Sequence, residues 1–99
     1  MTFVKAANVK DVKPGEGKAI NVNGTDIALF NVDGTIYAID NTCPHRGGPL
    51  GEGMLDGNVV TCPLHGWKFN VTTGANVSMP VNVRRFETKV EGDEIFVDV

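Results

Sequence analysis

No apolar run in this 99-residue chain exceeds four residues, and turn signals stand between the runs. Two runs reach that length, Ile27-Ala28-Leu29-Phe30 and Ile36-Tyr37-Ala38-Ile39. Between and before them stand Asn23-Gly24 and Asp33-Gly34. These are strong two-residue hairpin signals, because a type I′ turn needs positive φ at both central positions and Asn, Asp and Gly tolerate it best. Lys18-Ala19-Ile20-Asn21-Val22 alternates ahead of the first turn, so residues 18–39 read as a three-strand meander. Further on, a short hairpin over Met54-Leu55 and Val59-Val60-Thr61 is expected around Asp56-Gly57. Trp67 to Val71 alternates, Arg85 to Val90 alternates, and after Glu91-Gly92-Asp93 the chain ends in Ile95-Phe96-Val97-Asp98-Val99. No segment supports a helix of ten residues or more. Ala6 to Val12 has room for one helical turn before Pro14 and Gly15 end it. The expected class is all-β, a small antiparallel sandwich or barrel of about eight to ten short strands.

Composition excludes several functions. Nine basic and twelve acidic residues leave a net charge of −3, which argues against binding nucleic acid. No apolar stretch is long enough for a membrane-spanning helix, so no membrane role is expected. The first ten residues lack the apolar core of a secretory signal, and a cytoplasmic location is expected. One domain of this size is often marginal unless a staple or a metal helps.

The staple is visible in the cysteines and histidines. The chain has two of each, and all four stand within 23 residues, at Cys43, His45, Cys62 and His65. The same stretch, Cys43 to Gly66, holds six Gly and three Pro, so it reads as loops rather than strands. Loops that dense in turn residues are costly to order. Two short chelating pairs, Cys-x-His and Cys-x-x-His, can converge on one metal centre. One thiolate and one imidazole from each pair suit zinc, or an iron–sulfur cluster with histidine on one iron. A disulfide between the two cysteines would leave both histidines unexplained. Pro44 and Pro63 stiffen the backbone directly after each cysteine. Gly47, Gly48 and Gly66 let the backbone approach inorganic sulfur.

Cys43-Pro44-His45-Arg46-Gly47-Gly48 and Cys62-Pro63-Leu64-His65-Gly66-Trp67 resemble the two ligand boxes of Rieske [2Fe–2S] proteins, in order and in spacing. The resemblance extends to Phe69, Thr73-Gly74-Ala75 and Met79-Pro80, the last of which looks like the proline-containing loop that covers the cluster. It implies a single Rieske domain over 1–99, with base strands over about 1–40 and 81–99 and a loop-rich cluster-binding subdomain over about 41–80. It implies one [2Fe–2S] cluster per chain, with Cys43 and Cys62 on one iron and His45 and His65 on the other. Residues expected near the cluster or at a docking surface are Arg46, Gly47, Gly48, Pro49, Leu50, Gly66, Trp67, Met79 and Pro80. Trp67 would cap the apolar side of the pocket or meet a partner. Pro49, Leu50 and Met79 would dock a partner or shield the cluster from water.

The resemblance also narrows the function. Rieske subunits of respiratory complexes carry an extra cysteine in each box, and here those places hold Gly48 and Leu64. Hydroxyls that bond cluster sulfur in those subunits are replaced by Trp67 and Phe69. Fewer hydrogen bonds to sulfur stabilise the added electron less, so the midpoint is expected at the low end of the Rieske range, near about −150 mV. This pattern is similar to Rieske-type ferredoxins and to the Rieske domain of ring-hydroxylating oxygenases. It implies a one-electron carrier between a flavin-containing, NAD(P)H-dependent reductase and a terminal oxygenase, docking near His45 and His65. A small subunit of a larger reductase, such as nitrite reductase, is the second reading. An oxygenase in its own right would need a mononuclear iron site, and no histidine remains to build one.

Overall fold

The computed structural model describes residues 2–44, 47–64, 66–77 and 79–99. Among them run ten strands and two single 3₁₀ turns: β1 (Phe3–Asn8), a turn over Val9–Asp11, β2 (Gly17–Val22), β3 (Thr25–Val32), β4 (Thr35–Asp40), a turn over Leu50–Glu52, β5 (Met54–Asp56), β6 (Val59–Thr61), β7 (Lys68–Asn70), β8 (Arg85–Phe86), β9 (Thr88–Glu91) and β10 (Glu94–Asp98). Every strand pair is antiparallel. The strands form three sheets, ordered β1-β10-β9, β2-β3-β4-β8 and β5-β6-β7. The all-β expectation therefore holds.

The meander closes as its turn residues dictate. Asn23 and Asp33 both sit at φ 51, and Gly24 and Gly34 follow at φ 85 and 92, the positive pair a type I′ hairpin needs. The third hairpin is shifted by one residue from the expected turn. Asp56 pairs with Val59, so Gly57-Asn58 make the loop. The single helical turn expected within Ala6 to Val12 is found at Val9–Asp11, and Phe3–Asn8 ahead of it is a strand paired with β10. One other reading needs correction. The expected strand from Arg85 to Val90 is broken at Glu87. Its first half joins β4 and its second half joins β10, in different sheets.

β3, in the middle of the four-stranded sheet, is buried on both faces, which explains its unbroken apolar run. Ile27 and Leu29 point into one core with Val12, Val22, Ile36, Ala38, Phe86, Ile95 and Val97. Ala28 and Phe30, on the opposite face of β3, point into a second core with Ile39, Leu50, Val60, Phe69, Val71, Val83 and both cysteines. A strand covered on both sides has no solvent face for polar residues to occupy. The buried Asn31 ties this centre together. Its side-chain amide donates to the Val12 carbonyl at 2.9 Å, and its carbonyl oxygen accepts from Gly34 N–H at 2.7 Å.

Candidate metal centre

Cys43 and Cys62 are 1% and 3% exposed and belong to the same core. Neither forms a disulfide. A thiol reaches this buried place from each of two loops, and the loops are built alike. In the first, Cys43 N–H donates to Gly48 O at 2.9 Å and Gly47 N–H donates to Cys43 O at 2.7 Å. In the second, Cys62 N–H donates to Trp67 O at 2.7 Å and Gly66 N–H donates to Cys62 O at 3.1 Å. The fourth residue after each cysteine is a glycine in the left-handed region, Gly47 at φ 71 and Gly66 at φ 75. That conformation costs a side-chain-bearing residue about 1–2 kcal/mol. Each loop thus folds back on its own cysteine, through a turn that a Cys-Pro-x-x-Gly sequence favours.

The two loops differ in what they stand on. The second caps a regular ladder, β6 against β7, with Thr61 opposite Lys68. The first rests on the lone bridge Thr42↔Pro49, closed on either side by Cys43 N–H to Gly48 O and Leu50 N–H to Asn41 O. Below that bridge, Asn41 holds the stem. Its carbonyl accepts from Leu50 N–H at 2.8 Å, and its side-chain oxygen accepts from Gly51 N–H at 2.7 Å.

Gly48 is where the loops meet. A Cβ on Gly48 would stand 2.7 Å from Cys62 Sγ and 3.1 Å from Leu64 Cγ. The chain passes one thiol here with no side chain between, leaving backbone alone against sulfur. Two buried thiols outside a disulfide, brought together by loops whose glycines admit close backbone approach, suit a thiolate-held iron centre. The geometry fits that group and gives a disulfide reading no support.

The remaining expected residues are distributed as follows. His45, Arg46 and His65 lie outside the described residues. Trp67 packs against the core that holds the cysteines. Leu50 is 0% exposed, which removes it as a docking residue and leaves it as packing beneath Cys43. Gly48 is buried too, Pro49 is half-buried, and Gly47, Gly66, Met79 and Pro80 are exposed. Met79 stands with Leu64, Val77 and Val81 among the exposed large apolar residues. The loop of Met79 and Pro80 is clipped by two asparagines. Met79 N–H donates to Asn76 Oδ1 at 3.0 Å, and Asn76 N–H donates to Asn82 Oδ1 at 3.1 Å. Sequence reasoning missed Asn41, whose partners lie nine and ten positions away. The only local signal was a turn-forming residue just ahead of the first cysteine.

The sequence description of the Rieske [2Fe–2S] domain matches residues 2–92. The chain belongs to the Rieske [2Fe–2S] family. Among Rieske relatives it is 41% identical over 101 residues to the biphenyl dioxygenase ferredoxin subunit of Pseudomonas sp. (strain KKS102), covering 99% of this chain and 93% of that one. The ferredoxin of carbazole 1,9a-dioxygenase from Nocardioides aromaticivorans IC177 has the same fold at a TM-score of 0.90 and 34% identity, over 98% and 97% of the two chains. A chain from a complex of reduced oxygenase and oxidised ferredoxin in carbazole 1,9a-dioxygenase matches at 0.87 and 38% identity, over 96% and 91%. A chain described as an NADH-dependent nitrite reductase small subunit, from Mycobacterium tuberculosis, matches at 0.88 but at 25% identity, over 97% and 93%. The Rieske fold here ends in two cysteine loops, and no helix among the described residues is long and apolar enough to cross a membrane.

Proposed function

We propose that this Rieske protein is a one-electron carrier, the ferredoxin component of a ring-hydroxylating dioxygenase system, and that it has no catalytic site of its own. The observation that carries this reading is coverage. The chain matches a biphenyl dioxygenase ferredoxin subunit over 93% of that subunit's length at 41% identity. Cys43 and Cys62 hold one iron of a [2Fe–2S] cluster and His45 and His65 hold the other. When bound, that cluster supplies a one-electron couple whose neutral oxidised form accepts charge more easily than an all-cysteine cluster does.

The residues of the chain then have three tasks. The cysteine loops, within a subdomain over about 41–80, fix the ligands through the paired hydrogen bonds onto Cys43 O and Cys62 O. Trp67, Leu50 and Phe69 exclude water from the thiolate side, since all three pack in or against that core. The apolar side chains of Leu64, Val77, Met79 and Val81 present a docking face. The donor is a flavin-containing, NAD(P)H-dependent reductase and the acceptor a terminal oxygenase, and both meet the chain near His45 and His65. A small interface of this kind gives the weak, short-lived contact a carrier needs.

The test is the visible and electron paramagnetic resonance spectrum of the purified protein, as isolated and after dithionite. A red-brown protein with a rhombic reduced signal typical of mixed His/Cys ligation is the expected result. A colourless protein, with zinc or with no metal, would overturn the reading. Copurification with a large reductase subunit would favour the nitrite reductase alternative instead.

A further inference from the structure

The two cysteine loops share one internal hydrogen-bond pattern but stand on different foundations. Thr61 and Lys68 continue the β6–β7 ladder up to the second loop, so backbone pairing alone fixes its stem. At the first loop the ladder is reduced to one bridge, Thr42 opposite Pro49, with one backbone bond on either side of it. Directly after it, the 3₁₀ turn over Leu50–Glu52 begins with no side chain of its own capping it. The first N–H groups of such a turn need acceptors from elsewhere.

One residue meets all of these needs. Asn41 takes Leu50 N–H on its carbonyl at 2.8 Å and Gly51 N–H on its side-chain oxygen at 2.7 Å. Its own N–H reaches Asp26 O at 3.2 Å, which anchors it to β3. Gly51 cannot drift away. A Cβ there would lie 2.6 Å from Ala19 N, so the turn is pressed against the backbone of β2. Leu50, between the two bonds, is fully buried in the core that holds Cys43. The side chain of Asn41 therefore extends, by one bond onto Gly51, a stem that backbone pairing holds at a single bridge.

We infer that Asn41 is a positioning residue for the metal centre: its carboxamide sets the stem of the Cys43 loop and, through it, the placement of the Cys43 ligand. The inference rests on the cluster-binding reading above, and the experiment separates the two. Asn41→Ala, Asn41→Asp and Asn31→Ala are compared with the parent as purified holoproteins. Asn31 is the control, a buried asparagine with two bonds in the base of the fold and no link to either loop. For each protein, thermal stability, the reduced-state g values and the rate of loss of visible absorbance under a chelator are measured.

Asn41→Ala is expected to shift the g values and to speed cluster loss roughly five- to tenfold, the factor that one hydrogen bond of ordinary net worth carries. Asn41→Asp keeps an acceptor oxygen in place and is expected to lose its cluster at the parental rate. Asn31→Ala is expected to melt earlier with unchanged g values. If Asn41→Ala behaves as Asn31→Ala does, Asn41 is structural only and the inference fails. If Asn41→Ala loads no cluster, Asn41→Asp decides: parental release supports the inference, and failure to load or retain the cluster overturns it. A parent protein without a cluster would sink the functional reading itself.

Discussion

Gly48→Ala tests the closeness of the two cysteine loops. The added methyl would sit 2.7 Å from Cys62 Sγ, and 3.1 and 3.2 Å from Cγ and Cδ1 of Leu64. Comfortable heavy-atom contacts lie at about 3.5–4.0 Å, so the sulfur contact falls short by roughly 1 Å and the leucine contacts by about half that. The two neighbours differ in freedom. Leu64 is 53% exposed and can swing into solvent, whereas Cys62 is 3% exposed and fixed by its loop. The strain therefore falls on the thiol. Overpacking of this kind costs about 1–3 kcal/mol, and in a domain this size each kcal/mol lowers Tm by about 4–8 °C. A fall of roughly 5–20 °C is expected by thermal melt of the holoprotein.

The partition between the two contacts can also be read. Leu64→Ala removes the leucine contacts but leaves the sulfur contact, so Gly48→Ala in that background should cost nearly as much as in the parent. A coupling below about 0.5 kcal/mol is expected from the double-mutant cycle. A loss under about 0.5 kcal/mol for Gly48→Ala alone, or near-complete rescue by Leu64→Ala, would refute the claim that the loop backbone lies directly against the Cys62 thiol.

Phe30 is fully buried in the core under the cysteines, and Phe30→Ala should cost about 3–5 kcal/mol by denaturant unfolding. The 81%-exposed Met54 should tolerate Ala within about 0.5 kcal/mol. Asn31→Ala should cost about 1–3 kcal/mol, because it strands the Val12 carbonyl and the Gly34 N–H. The midpoint potential of the loaded protein should lie below zero, near about −150 mV, by redox titration. Trp67 and Phe69 offer no hydroxyl to sulfur, so a positive midpoint would mean that other donors dominate.

The elements legible in the sequence are those whose causes are local. The Asn-Gly and Asp-Gly turns need positive φ at two adjacent residues, so the meander could be read directly. The Cys-Pro-x-x-Gly loops likewise carry their own hydrogen bonds within six residues. What escaped depends on distant partners. β1 pairs with β10 from the far end of the chain, and a bulge between Lys5 and Ala7 breaks its alternation. The change of sheet at Glu87 leaves no mark in an alternating stretch. Leu50 sits in a Gly/Pro-rich segment that reads as exposed loop, yet the 3₁₀ turn and Asn41 carry it into the core. The continuous run Ile27–Phe30 is ambiguous by period alone. Only the cores on its two faces explain it.

The placement of charge follows the same division between base and loops. Residues 41–80 contain Arg46 and Lys68 against Glu52 and Asp56, a sum of zero, so the whole net charge of −3 belongs to 1–40 and 81–99. The exposed large apolar residues are divided: Phe3 and Val90 lie on the base, and Met54 belongs to 41–80. Leu64, Val77 and Met79 belong to the neutral segment and Val81 adjoins it. A carrier must be soluble yet must release its partners quickly. Net charge on the base favours solubility. In the carrier reading proposed above, exposed apolar side chains give contact area without the orientation-locking ion pairs that would slow release. The same segment holds both cysteine loops, so the loop-bearing part of the sequence is the formally neutral one. The acidic, strand-built base keeps that part folded.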